Sequence, residues 1–349
     1  MTPLLLIGLL ATIVTAAPIS LTSCLNSASV PVLLIGTDAF KQQTTPYNLR
    51  LTPTAPHVVA LPSTLAHVKS AMKCASKTNT KVSVKSGGHS YGAYALSGTL
   101  VMDLQELQTV SYSPSSKLVT VGGGVRLGNL ATKLYAAAQR GMPHGTCPGV
   151  GIGGHATLGG FGLDSRLWGL STDMISSATA VLANGTAVTA SATKNKDIYY
   201  ALRGAGPGFA VVTEFKMKTF AAPKENTHFT YTWTIGSAAT AAKAFKVAQD
   251  WGLKSAPNKL GYGILMFPGN QFVVRGVYYG PESAFNTVIA SFLTKMKSAT
   301  AGIAPSVDVR VLDWIASLTL LAGSSLTTPV TGYNVHDTFV RPPHPPTPP

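Results

Sequence analysis

Apolar positions along the chain change texture near residue 220. From 51 to about 220, short apolar runs alternate with stretches of helical period. The run 57–61 reads as a strand, and Ser63 can cap a helix over 64–78. Residues 81–85 alternate as a strand does and run directly into SGGHSYG. Further strands are expected at 99–104 and 118–121, and a helix at 126–140 that Gly141 would close. Glycine dominates 145–162. Past it, 178–182 and 187–189 flank Asn184-Gly185, a strong short-range hairpin signal. Residues 197–203 read as a helix stopped by Gly204, and 209–220 as a strand.

Composition shifts at Ala221-Ala222-Pro223, an expected domain boundary. Beyond it, 238–251 places Ala241, Phe245, Ala248 and Trp251 close to one helical face. Strands are expected at 261–267 and 271–279, joined by Pro268-Gly269-Asn270, and a helix at 282–296. Residues 18–50 lack strong periodicity and read as an N-terminal leader. The expected organisation is thus a leader at 18–50, one unit over 51–222 and a second, α+β unit over 223–339. In the tail, 340–349, six of ten residues are proline, which excludes it from core structure.

Composition narrows the class. With 45% hydrophobic and only 11% charged residues over 349 positions, the chain can bury a sizeable core and is no candidate for disorder. Low charge with abundant Thr, Ser, Ala and Gly is common on secreted surfaces. The net charge of +14 is large. No Lys/Arg run exceeds what a solvated face carries, and no zinc-finger or RNP-like motif occurs, so nucleic acid is not the expected partner. Residues 1–17 hold an apolar run from Leu4 to Val14 followed by Thr15, Ala16 and Ala17. That matches a secretory signal peptide, although no Lys or Arg precedes the run. The run is too short to span a bilayer. Secretion, with no membrane partner, is the expectation.

Secretion changes how the three cysteines, Cys24, Cys74 and Cys147, are read. An odd count leaves at least one sulfur to explain, and three pairings are open. Cys24 and Cys74 sit in ordinary surroundings, whereas Cys147 lies in a glycine loop. A Cys24–Cys74 disulfide and a chemically special Cys147 are the expected assignment.

Two glycine loops carry the candidate chemistry. The first is Lys85-Ser86-Gly87-Gly88-His89-Ser90-Tyr91-Gly92, directly after a strand. Consecutive glycines let backbone N–H groups converge into a nest for a phosphate oxygen, and Lys85 could add charge. A tight turn with a solvent-facing His explains the same residues equally well. The second loop contains Thr146, Cys147, Gly149, Gly151, Gly153, Gly154 and His155 and continues to Gly159, Gly160 and Gly162. Gly149, Gly151 and Gly154 formally match G-x-G-x-x-G, but Pro143 and Pro148 stand where the dinucleotide fingerprint needs a buried strand, so a Rossmann unit is rejected. Val150, Ile152, Leu158 and Phe161 call for burial and exclude a flexible linker. Cys147 is expected to be buried against close backbone, able to serve as nucleophile, redox centre or covalent anchor. His144, Cys147 and His155 make a poor zinc set without a second Cys pair, and no metal is expected.

SGGHSYG at 86–92 and HGTCPGVGIGGHATLGGFG at 144–162 resemble the two flavin-attachment motifs of berberine-bridge-enzyme-like FAD-linked oxidases, most closely the fungal oligosaccharide oxidases. DIYYALRGAGPGFAVVTEF at 197–215 is similar to that family's third signature. The resemblance runs from about Cys24 to Phe339. It implies an α+β fold: a PCMH/VAO-type FAD-binding domain of two α/β subdomains, then an antiparallel-sheet substrate domain with helices. It also implies FAD attached bicovalently through His89 and Cys147. Gly208, Ala210 and Val212 match the strand that meets the cofactor by its backbone, and Tyr91 and Thr146 match positions lining the sugar site. The implied reaction is oxidation of the anomeric hydroxyl of an oligosaccharide to a lactone, with O₂ reduced to H₂O₂. Oxidation of a non-sugar secondary metabolite and an inactive flavin-binding remnant are the alternatives. The family's base lies near the C-terminus, and no residue in 1–339 matches its Tyr motif. The likeness stops after Phe339, where the proline tail begins, so the chain as written is expected to be incomplete and not to turn over. Asn184-Gly185-Thr186 is the one glycosylation sequon, although the hairpin turn accounts for it.

Overall fold

The computed structural model describes residues 19–51 and 56–329. The expected signal peptide, the end of the family match at 332–339 and the proline tail lie outside the described residues.

Wholly apolar runs form the first sheet, because strands covered on both faces have no polar side to show. Val58–Ala60 and Leu100–Asp103 are buried at every position and pair in parallel. Val82–Lys85 joins in parallel on one side, and Val32–Leu34 closes the other side antiparallel. Helix Leu65–Lys77 packs on this sheet through Val68, Ala71, Met72 and Ala75. Thr64 rather than Ser63 caps it, its hydroxyl accepting from the His67 amide at 3.1 Å.

The stretch expected to be a plain leader is structured. It forms helix Leu21–Ser27, strand Val32–Leu34 and helix Asp38–Thr44. Elements this short show too few turns for periodicity to register. Their stability is tertiary, from the buried Leu25 and Phe40 and from the Cys24–Cys74 disulfide. The disulfide ties the first helix to Leu65–Lys77 across a separation of 50 residues. By the chain-entropy model it stabilises by about 4 kcal/mol.

The second sheet is antiparallel, in the order Val110–Ser113, Leu118–Gly122, Val211–Lys218, Ile175–Val181, Ala187–Ser191. Asn184-Gly185 turns the last hairpin, with Gly185 at φ +80°. Val119, Val121, Phe215 and Met217 face helix Leu127–Ala138, whose Leu130 and Leu134 complete the core. That helix ends at Gln139 in the left-handed region, not at Gly141. Gly141 has a packing role instead: a Cβ there would lie 2.8 Å from the Trp314 ring.

A third sheet begins at Asn226, with order Leu260–Phe267, Gln271–Tyr278, Asn226–Thr234, Ser306–Leu312. Its central strand Asn226–Thr234 and its edge Ser306–Leu312 were not expected from the sequence, nor was helix Trp314–Ala322. Phe229, Tyr231 and Trp233 point to one face, where helices Ala238–Lys254 and Glu282–Ala299 cover them with Trp251, Phe285 and Phe292. Helix Trp314–Ala322 lies against the other face and joins it to the helix that covers the second sheet: Trp314 and Leu318 pack with Ala131, Val277, Tyr279 and Trp168. Among the described residues no helix is long and apolar enough to cross a membrane.

Candidate functional site

The two glycine loops meet back to back. A Cβ on Gly87 would stand 2.2 Å from the Gly151 nitrogen and 2.6 Å from the Gly149 oxygen, and one on Gly151 would stand 2.1 Å from the Gly87 nitrogen. The contact is stitched by Ser86, whose hydroxyl donates to the Gly123 carbonyl at 2.7 Å and accepts from the Gly153 amide at 3.4 Å. The second loop is seated on helix Leu127–Ala138 by Leu127 and Gly128 amides donating to the Val150 and Pro148 carbonyls. Ile152–Thr157 forms a short helix, and the strand before it, Arg140–Gly141, is only two residues long and does not run into the glycines, so the formal G-x-G-x-x-G is not a dinucleotide turn.

Between the loops runs a cleft of about 400 Å³ walled largely by backbone. Of the residues expected there, Ser86, Gly87, Gly88, His89 and Ser90 line one wall. Gly151, Gly153, Gly154, His155 and Val212 line the other. A Cβ on Gly154 would meet nothing within 4 Å and would project into this space. Gly206, Pro207 and Ala210 also line it, with apolar side chains such as Val84, Leu104 and Val150. Gly208, expected here, lines an adjoining cavity of about 490 Å³ instead, with Asn79, Thr80 and Phe209. The two cavities share Val84, Pro207 and Ala210, so they lie side by side.

Several expectations are corrected. Lys85 does not face the cleft. Its ammonium is buried, 3.0 Å from the Asp103 carboxylate, and donates to the Gln43 side chain at 2.6 Å and backbone at 3.1 Å. It therefore supports the loop from behind: Gly88, at φ +73°, rests over its aliphatic stem. Gly92 packs on the Tyr94 ring, and Gly149 backs Gly87, so neither lines the cleft. Cys147 is exposed, not buried, because the turn is carried by the buried Pro148 and Gly149 beside it. Leu158 and Phe161 are also exposed, at 62% and 66%. Gly159 and Gly160, at φ +113° and +80°, bend the chain there. Gly160 also leaves room for Ser171, 2.5 Å from where its Cβ would be. Leu158 lines the cleft between the loops and Phe161 a second one, so the apolar residues of this stretch divide between core and cleft wall.

That second cleft, about 380 Å³, lies on the face of the third sheet opposite helices Ala238–Lys254 and Glu282–Ala299, where Leu320 and Leu321 of helix Trp314–Ala322 form part of its lining. Strand register decides its floor: Gly263, Arg275, Thr230 and Asp308 align across the four strands, and His228 lies opposite Arg310 in the next row. Thr146, Phe161 and Leu163 form the wall toward the glycine loops. Arg310 engages Asp308 through two nitrogens, at 2.8 and 3.0 Å. Burial, aided by Arg310, holds His228 down at about 4, and its Nε2 pairs with the Ser317 hydroxyl at 2.7 Å. Tyr91, expected beside the sugar, is exposed and meets Tyr47 edge-on at 5.4 Å.

Under the second loop lies a group of buried titratable residues. Burial lowers His144, and burial plus His144 holds His155 at about 4. His155 Nε2 accepts from the Gly145 amide at 3.0 Å, which requires the neutral ring. Burial raises the Asp164 carboxyl to about 8, against backbone hydrogen bonds at His144 and its own amide.

Sequence reasoning missed Tyr47 and Asn48. The Tyr47 ring stacks on His89 with centroids 4.4 Å apart, and Asn48 donates to the Tyr91 carbonyl at 3.0 Å. Both sit in the segment that showed no periodicity.

The FAD binding domain family matches residues 56–191, the span that builds both loops. The xylooligosaccharide oxidase of Thermothelomyces thermophilus is 38% identical over 325 residues, covering 90% of this chain and 63% of that protein. The solved xylooligosaccharide oxidase from Myceliophthora thermophila, in complex with xylobiose, superposes with a TM-score of 0.84 at 37% identity, over 91% of this chain and 67% of that one. The chain belongs to the berberine-bridge-enzyme-like FAD-linked oxidase family. It spans about 63% of the length of the curated relatives it matches. A further family structure, the glucooligosaccharide oxidase from Acremonium strictum, covers 91% of this chain and 66% of its own length at 32% identity and TM-score 0.84. It is described as carrying a 6-S-cysteinyl, 8α-N1-histidyl FAD. The mixed α+β architecture with its helix-backed antiparallel sheet agrees with these neighbours.

Proposed function

We propose that this chain holds FAD in the cleft between the glycine loops, bonded through His89 and Cys147, and that it oxidises the reducing end of an oligosaccharide. The observation that carries the reading is the back-to-back contact of Gly87 and Gly151 beside a backbone-walled cleft, with the His89 ring in its wall and the Cys147 thiol exposed on the opposing loop. A large planar group lying on backbone needs such walls. Side chains at Gly154 would occupy the cleft, and side chains at Gly87 or Gly151 would force the loops apart. The residues present therefore fit the cofactor, and the adjoining cavity at Gly208 and Asn79 lies beside the same cleft.

Bound there, the flavin supplies the two-electron acceptor, and two covalent links raise its potential. The floor of Thr230, Arg275 and the Arg310–Asp308 pair offers hydrogen-bond donors and acceptors for sugar hydroxyls, and Phe161 offers an apolar wall for a ring face. The sugar's anomeric carbon loses a hydride and its hydroxyl a proton, leaving a lactone. Oxygen takes up the two electrons with two protons as H₂O₂. The neutral His155, fixed by the Gly145 amide, keeps positive charge away from the cleft wall it shares. Secretion belongs to the same reading, supported by the apolar N-terminus and by a disulfide suited to an oxidising compartment.

The test is the absorption spectrum of the purified protein before and after xylobiose or cellobiose, with peroxide measured in parallel. Bleaching of the oxidised flavin band by a sugar, followed by peroxide, is the result this reading requires, and it would overturn the sequence expectation that the chain does not turn over. Protein that carries no flavin, or flavin that no sugar reduces, overturns the reading.

A further inference from the structure

The loop that carries His89 has little of its own to hold it. Gly87 and Gly88 contribute no side chains, and rotation about the last torsion of a histidine is broad. Yet bonding to a flavin requires one nitrogen at one angle. Ser86 and Gly87 seat the start of the loop on the second loop, and a further constraint comes from one upstream segment. Gln43 accepts from the Lys85 ammonium at 2.6 Å, just before the loop. Asn48 donates to the Tyr91 carbonyl at 3.0 Å, just after His89. Between those two anchors, the Tyr47 ring covers His89 at 4.4 Å with 28° between planes, and Tyr91 stands perpendicular to Tyr47 at 5.4 Å. Lys85 is itself pinned by the buried Asp103. The segment 43–48 thus holds the loop at both ends and covers the imidazole between them.

We infer that Tyr47 is a positioning residue for His89: its ring fixes the plane of the imidazole that bonds the flavin. This rests on the reading that His89 is a flavin attachment point. A ring needed only for packing would stack on core side chains. Tyr47 is half-buried, and the rings it meets, His89 face to face and Tyr91 edge-on, both belong to this loop. The stacked ring is what fixes the plane, so phenylalanine should serve in place of tyrosine.

The experiment uses the full chain with Cys147→Ala, so that any covalent flavin must be bonded through His89. Apoprotein is produced in a riboflavin-auxotrophic host and then supplied with FAD. Covalent attachment is followed by flavin retained after acid precipitation and by the mass of the His89 peptide. Adding Tyr47→Leu should slow attachment about 10- to 100-fold, the scale of a misaligned reacting group. Adding Tyr47→Phe instead should restore the parent rate. Attachment at the parent rate in the Tyr47→Leu protein overturns the inference. If the Cys147→Ala parent itself releases all its flavin into acid, the attachment reading falls, and the inference with it. Should the double variant fail to fold, Tyr47→Leu alone decides. With Cys147 intact, the flavin should stay on the Cys147 peptide while the His89 peptide lacks it, and full occupancy of both overturns the role.

Discussion

Gly87 and Gly151 approach so closely that neither position has space for a methyl group: each missing Cβ would fall within 2.2 Å of the other residue's backbone nitrogen. Backbone cannot yield as a flexible side chain does. Gly151→Ala is therefore expected to separate the loops, to destabilise by about 1–3 kcal/mol, and to lose FAD. Gly154→Ala is the control, because its Cβ meets nothing within 4 Å. It should leave the thermal midpoint unchanged and still weaken FAD retention, since its methyl enters the cleft. Thermal unfolding together with flavin content separates the two effects.

Lys85 and Asp103 form a buried ion pair 3.0 Å apart, with side chains 6% and 1% exposed. Lys85→Met would leave Asp103 buried and unpaired, which costs about 3–5 kcal/mol. Removing both charges, as Lys85→Met with Asp103→Leu, should recover much of that loss. Urea unfolding of the single and double variants measures it. A double variant no more stable than the single one would show that the Gln43 contacts carry the stability.

Stability should peak near pH 6.5. In the folded protein His155 and His228 are held at about 4, and His144 is also lowered, against an ordinary value of 6.5. Between pH 4 and 6.5 the unfolded chain therefore binds more protons at these histidines, and stability rises with pH. Asp164 acts with the opposite sign. Raised from 3.8 to about 8, it keeps a proton in the fold that the unfolded chain has released, so its contribution falls as pH rises from 4 to 8. Three histidines outweigh one aspartate below 6.5, and Asp164 acts alone above it. Urea midpoints from pH 4 to 9 should show the maximum, and Asp164→Asn should abolish the decline on its alkaline side.

Arg275 stands in the floor of the sheet cleft between Gly263 and Thr230, and no acidic side chain pairs with it among the described residues. If the cleft takes sugar, Arg275→Ala should raise KM for oligosaccharides about 10-fold, as the loss of a charged hydrogen-bond donor does. Flavin content should not change. An unaltered KM would place the sugar elsewhere.

The sequence by itself determined the local elements and the chemistry in them. Period and turn signals at 57–85, at Asn184-Gly185 and at 238–296 are settled within a few residues of one another, and the structure bears them out. So does the choice of Cys24 with Cys74. The strands Asn226–Thr234 and Ser306–Leu312 were not expected from the sequence: the second is mostly exposed, and the first draws its stability from the two strands that flank it. Only the tertiary structure decided that Gly87 meets Gly151, that Asp103 and Gln43 take up Lys85, that Cys147 is exposed and that Tyr47 covers His89. Each of these joins residues far apart in the chain or depends on what neighbouring segments leave uncovered. Hydrophobic burial and loop closure select such pairings over the whole fold, and they leave no periodic trace in the local sequence.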